Sequence, residues 1–129
     1  MTEPPAAPVA GIAMVTIDCA DPDTLAAFYA RLLGMTVAYS DGEVAMITGG
    51  SGPALGFSRV GAYTPPSWPD ENSDKQFHLD LTVDDIPAAE QAAVALGATV
   101  PDFQPGETWR VLLDPAGHPF CVTNAANWG

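Results

Sequence analysis

The sequence predicts an α+β domain made of two tandem β-α-β-β-β modules. Three observations carry this: a long internal repeat, two capped helical segments, and runs that alternate apolar with polar residues. Leu33-Gly34-Met35-Thr36-Val37 returns as Leu96-Gly97-Ala98-Thr99-Val100, with the two glycines 63 residues apart. A period this long holds several secondary elements per copy, so it marks duplication of a small module rather than a solenoid of short units. Asp21 and Asp84 share the same interval, and Gly42-Glu43 matches Gly106-Glu107 at 64. The agreement in order is what makes the repeat persuasive.

Each element follows from local chemistry. Residues 1–10 carry Pro4, Pro5 and Pro8 among alanines and predict a flexible or extended arm. Gly11 to Cys19 alternates, with Ala13, Val15, Ile17 and Cys19 on one face and Met14, Thr16 and Asp18 on the other, which is strand periodicity. Asp21-Pro22-Asp23 supplies an N-cap and a proline for the first turn. Leu25, Phe28, Tyr29, Leu32 and Leu33 then fall at helical spacing, so a helix is predicted over Pro22–Leu33 with Gly34 as its stop. Met35–Ser40, Glu43–Thr48 and Ala54–Val60 read as strands, the first two joined by an Asp41-Gly42 hairpin. Module one therefore spans 11–60, and a proline-rich linker covers 61–75.

Module two, 76–124, repeats the pattern. Phe77–Val83 alternates Phe77, Leu79, Leu81 and Val83 against His78, Asp80 and Thr82. Asp84 or Asp85 caps a helix through Leu96, and Gly97 ends it. Strands near Thr99–Phe103, Thr108–Leu113 and Phe120–Thr123 bring the total to eight, followed by a tail at 125–129.

Composition narrows the function. A chain of 129 residues with 47% hydrophobic content can bury a proper core as one domain. Sixteen acidic residues face only four basic ones (Arg31, Arg59, Lys75, Arg110), for a net charge of −12. That balance argues against nucleic acid and anionic membranes as partners and is compatible with a cationic ligand. No run reaches the ~18 apolar residues of a membrane span, and no secretion signal is visible, so cytoplasmic residence is expected. Cys19 and Cys121 lie in apolar strands and are expected to be reduced thiols. Gly49-Gly50-Ser51-Gly52 lies between strands and reads as a hairpin loop rather than a phosphate cradle.

Helices need apolar faces to pack on, which leaves Met14, Thr16 and Asp18 of module one and His78, Asp80 and Thr82 of module two to line a pocket if the modules join in one curved sheet. His78 and Asp80 project together from one strand face. An acid–base pair and a structural hydrogen bond both fit that placement. Arg110, isolated in an apolar strand, needs a partner, either a substrate carboxylate or an acid such as Asp80. Trp68 serves as a pocket lid or packs at the module junction, and His118 serves its turn. Met14, Thr16, Phe57, Trp68, Thr82, Arg110 and Cys121 are the ligand-binding candidates.

Several stretches carry a resemblance over nearly the whole chain: Ala27-Phe28-Tyr29 with Leu32-Leu33-Gly34, Phe77-His78-Leu79-Asp80-Leu81 with Asp84-Asp85-Ile86, and Asp114-Pro115-Ala116-Gly117-His118-Pro119-Phe120-Cys121. With Pro66-Ser67-Trp68-Pro69 and Gln76, they resemble the vicinal oxygen chelate superfamily and its small bacterial glyoxalase-like proteins. The superfamily also includes glyoxalase I, extradiol dioxygenases and bleomycin-binding proteins. The resemblance implies a cupped mixed eight-stranded sheet with helices on its convex face, and a homodimer. It further implies that a metal, where present, takes one ligand from the first and one from the last strand of each module. Those positions are His78, Met14, Cys121 and either Leu55 or Gly56, of which only His78 is a usual ligand. No metal cofactor is therefore expected, although a zinc site from His78, Cys121 and Asp80 stays open. The expected function is binding of a small organic molecule. The alternative is an enzyme of lyase, isomerase or dioxygenase type using His78 and Asp80, or a metal site with unusual ligands.

Overall fold

The structure, a computed structural model, describes residues 12–69 and 78–127. The expected N-terminal arm, the end of the linker with Phe77, and the last two residues lie outside them. The elements are β1 (Met14–Cys19), α1 (Pro22–Leu33), β2 (Thr36–Ser40), β3 (Val44–Thr48), β4 (Ala54–Arg59), β5 (Leu79–Val83), α2 (Ile86–Leu96), β6 (Trp109–Leu113) and β7 (Pro119–Asn124), then a 3-10 turn at Ala125–Asn127.

Both helices begin and end for the reasons their sequences supply. Asp21 caps α1 by accepting from the Thr24 N–H, with Pro22 in the first turn, and Gly34 closes it in the left-handed region at φ 68°. Asp85, not Asp84, caps α2 by accepting from the Ala88 N–H, and Gly97 ends it at φ 124°. The repeated Leu-Gly is thus the stop of each helix, where a positive φ favours glycine. The caps are 64 residues apart and the stops 63, because α2 is one residue shorter than α1.

The strands form two sheets, a four-stranded one in the order β1-β4-β3-β2 and a three-stranded one in the order β5-β7-β6. In each, the first strand of the module runs parallel to the last, and the remaining pairs are antiparallel. The α+β class holds, but the eight-stranded continuous sheet does not. Seven strands are present among the described residues, and the segment expected as a strand at Thr99–Phe103 is reduced to one bridge, Thr99 to Leu113.

Pro101 explains the lost strand. Thr99 and Leu113 exchange both backbone hydrogen bonds, at 2.9 and 2.8 Å. Continuing that antiparallel register would set Pro101 opposite Val111, where proline has no N–H to offer the Val111 carbonyl. The Gln104 side chain takes over the pairing: its Nε2 donates to the Val111 carbonyl at 3.0 Å, and its Oε1 accepts from the Val111 N–H at 2.8 Å. One amide side chain thereby satisfies both backbone groups of a fully buried residue.

One apolar core serves both modules. Helix α1 packs across β2, β3 and β4, helix α2 on β6 and β7, and the two helices touch. Tyr29 of α1 stacks on Phe57 of β4 with ring centroids 5.6 Å apart and meets Phe120 of β7 edge-on at 6.2 Å. Aromatic contact therefore ties module one to the last strand of module two.

Replacing Gln104 by Ala leaves the Val111 N–H and C=O buried without partners. A loss of about 1–3 kcal/mol in unfolding free energy is expected, read from urea unfolding.

Candidate functional site

Strand pleating separates core from site. Ile17 and Cys19 are buried in the core, while Met14, Thr16 and Asp18 point the other way. The registers then extend this open face across the sheet: Thr16 lies beside Gly56, Gly56 beside Met46, and Met46 beside Tyr39, with Asp18, Ser58 and Val44 in the next row. A cavity of about 280 Å³ sits here, lined by Met14, Thr16, Tyr39, Val44, Met46 and Gly56 among others. Met14 is 44% and Tyr39 51% exposed, so apolar surface faces an open mouth. Gly56 leaves room for the Met14 side chain here. A Cβ there would stand 2.8 Å from the Met14 sulfur, too close for the thioether to lie across the sheet.

The second wall is built by β5 and β7. Asp80 is the register partner of Cys121, and His78 precedes it by two residues on the same face. His78 Nε2 lies 3.3 Å from Asp80 Oδ1. One donor atom from each of His78, Asp80 and Cys121 falls within 4.8 Å of the others. Trp68, from the linker, stacks on the His78 ring at 5.2 Å with planes 25° apart. Thr82 continues this face one row on, beside Thr123.

The ligand-binding candidates are thus sorted into separate places. Met14 and Thr16 line the first-wall cavity. Phe57 borders it, but its ring is buried against Tyr29 in the core. His78, Asp80, Thr82, Cys121 and Trp68 belong to the second wall, and none of them lines the cavity of the first. The two modules meet instead at a crevice of about 10 Å³ between Ile17, Tyr29, His78, Leu79, His118 and Pro119, room for about one water. Arg110 belongs to neither place. It shares its strand's helix-facing side with Leu112, and its Nε donates to Glu90 of α2 at 2.8 Å. The acid it needed comes from the helix above the sheet, not from Asp80.

Asp114, part of a turn motif in the sequence, is the buried carboxyl at the meeting of the two modules. Buried at the start of the β6–β7 turn, it accepts from the Tyr29 hydroxyl at 2.6 Å and from the backbone N–H groups of Ala116 and His118 at 2.8 and 3.0 Å. Burial pushes its carboxyl above the usual range, with these hydrogen bonds opposing the shift. The same burial, with Asp114 beside it, raises Tyr29 well above the ordinary phenol. His118 does serve its turn, and its Nε2 also reaches the Asp18 carbonyl of β1. The signal in the sequence was an aspartate opening a Pro-Ala-Gly turn; its distant partner Tyr29 was not readable.

A metal centre shared by both walls can be tested residue by residue. Aligning the helix caps places Met14 opposite His78, and the registers Thr16–Gly56 and Asp80–Cys121 place Gly56 opposite Cys121. Glycine offers no side-chain donor and a thioether is a poor ligand for hard or borderline ions, so a two-wall centre does not fit. The three donors of the second wall do fit a borderline-soft ion.

Residues 14–123 match the sequence profile of the glyoxalase-like domain. The chain belongs to the glyoxalase-like domain family. No curated protein sequence matches it. Among solved structures, a glyoxalase/bleomycin resistance protein/dioxygenase family enzyme from Burkholderia phytofirmans PsJN is similar at 20% identity and a TM-score of 0.66, over 89% of this chain and 98% of that one. A lactoylglutathione lyase from Agrobacterium tumefaciens is similar at 21% identity and a TM-score of 0.61, over 98% and 99%. The oxidase ChaP-H2 is similar at 20% identity and a TM-score of 0.62, over 90% and 94%. At these identities the likeness is one of fold.

Asp114 gives this glyoxalase-like domain a defined pH response. A carboxyl whose folded pKa is raised binds its proton more tightly when folded, so its contribution favours the fold below the unfolded value and is lost as pH rises through the raised value. Asp114→Asn removes that titration. Urea unfolding from about pH 4 to pH 7 should show wild type losing stability relative to Asp114→Asn, whereas a constant difference would contradict it.

Proposed function

We propose that this glyoxalase-like domain binds a small organic molecule, with a cationic group and an apolar body, in the first-wall cavity. The observation that carries the reading is the open apolar floor of Met14, Val44 and Met46 with Tyr39 at its rim. Its volume of about 280 Å³ lies at the lower edge of the ~300–1,000 Å³ usual for ligand pockets, so the guest is small or enters by one end. Tyr39 and the net charge of −12 favour a cation over an anion. No metal centre spanning both walls enters this reading.

A second reading, an enzyme of lyase, isomerase or dioxygenase type, draws on the His78–Asp80 pair under Trp68. There the imidazole would move a proton and the carboxylate would orient it. Proton exchange at a carbon acid, lost in His78→Ala, distinguishes catalysis from binding alone. A homodimer is part of the proposal, supported by the exposed strand β2 at the edge of its sheet. Sedimentation measurements test it. Cytoplasmic residence is also proposed, from the two buried thiols; no helix among the described residues is long and apolar enough to cross a membrane.

Calorimetric titration with a panel of small cationic amines and uncharged aromatic or aliphatic compounds tests the main reading. Met14→Ala and Met46→Ala should each weaken binding by about tenfold, the worth of ~1.5 kcal/mol of buried apolar side chain. Absence of binding across both classes, or affinity indifferent to both substitutions, would count against the cavity.

A further inference from the structure

We propose that His78, Asp80 and Cys121 form a zinc-type site held entirely on the second wall, with a fourth position open to solvent. The argument starts from the parallel pairing of β5 and β7. That register sets Asp80 beside Cys121, and pleating puts His78 on the same face two residues earlier. One nitrogen, one oxygen and one sulfur donor thereby converge, all within 4.8 Å of one another. In a tetrahedral site with bonds of about 2.0–2.3 Å, neighbouring donors stand roughly 3.3–3.8 Å apart. His78 and Asp80 are already at 3.3 Å, so closure asks only for small side-chain rotations about Cys121.

Burial is graded in the way such a site needs. Cys121 is 2% exposed, the His78 side chain 18% and the Asp80 side chain 44%. The thiol forms a dry floor, and an ion approaches over the carboxylate. Trp68, stacked on His78, restrains the imidazole plane. A nitrogen, a carboxylate oxygen and a sulfur together suit a borderline-soft divalent ion rather than magnesium or calcium. On binding, the Cys121 S–H bond breaks, the sulfur keeps the electron pair that it gives to the metal, and the proton leaves to solvent. Three protein ligands with one position left to water are the arrangement of a zinc site able to take a further ligand. This site lies apart from the first-wall cavity, so it stands or falls independently of the ligand proposed there.

Cobalt titration of the purified full chain, followed by zinc competition, tests the assignment. The expected result is one equivalent bound, with thiolate-to-cobalt charge transfer and the visible bands of tetrahedral cobalt, both displaced by zinc. Cys121→Ser should abolish the charge-transfer band, while Cys19→Ala should retain it. Asp80→Asn, at an exposed position, should weaken zinc at least about tenfold, since even groups behind a ligand are worth that much. Should Cys121→Ser fail to fold, X-ray absorption of the zinc-loaded wild type replaces it, with one sulfur expected at about 2.3 Å. Lack of charge transfer, a band lost with Cys19 instead, no sulfur neighbour, or zinc affinity unchanged in Asp80→Asn would overturn the site.

Discussion

A buried carboxylate, Asp114, holds the two modules in position. Placing an acid inside a core is costly unless its oxygens are fully used, and here three donors converge on it: the Tyr29 hydroxyl and the N–H groups of Ala116 and His118. Tyr29 belongs to module one, the turn to module two. The same turn is held from two further directions, by His118 on the Asp18 carbonyl and by the Tyr63 hydroxyl on the Ala116 carbonyl. β7 begins immediately after this turn, and its parallel register with β5 sets Cys121 beside Asp80.

The two walls are alike in strand order and different in chemistry. Where the second wall presents His78 and Cys121, the first presents Met14 and Gly56. Gly56 has two effects at once: it offers no side-chain donor and leaves room for Met14. The first wall carries an open apolar cavity, and the second a group of nitrogen, oxygen and sulfur donors. Division of the strands into two sheets follows the same partition, since each wall lies on its own sheet.

Legibility in the sequence tracks the distance over which each interaction acts. The helices were readable to within a residue because caps and stops lie inside the segment they bound: Asp21 and Gly34 for α1, Asp85 and Gly97 for α2. Strand faces were readable because period-two alternation is local. Misreading Thr99–Phe103 as a strand had a local cause, Pro101, but its remedy came from Gln104 further along, and alternation alone cannot reveal a side chain replacing a strand. Arg110 was correctly seen to need an acid. Its partner Glu90 lies twenty residues earlier on a helix, so only packing could select it over Asp80.

By itself, the sequence determined the α+β class, the repeated module, the helix limits and the faces of β1 and β5, because each depends on contacts within a few residues. Tertiary structure alone decided that the modules build two sheets, that Arg110 turns toward α2, and that Tyr29 finds Asp114 across 85 residues. It also decided that Cys121 joins His78 and Asp80. The physical reason is common to all four: they depend on register and docking between distant segments, which buried hydrogen bonds and core packing select and no local pattern encodes.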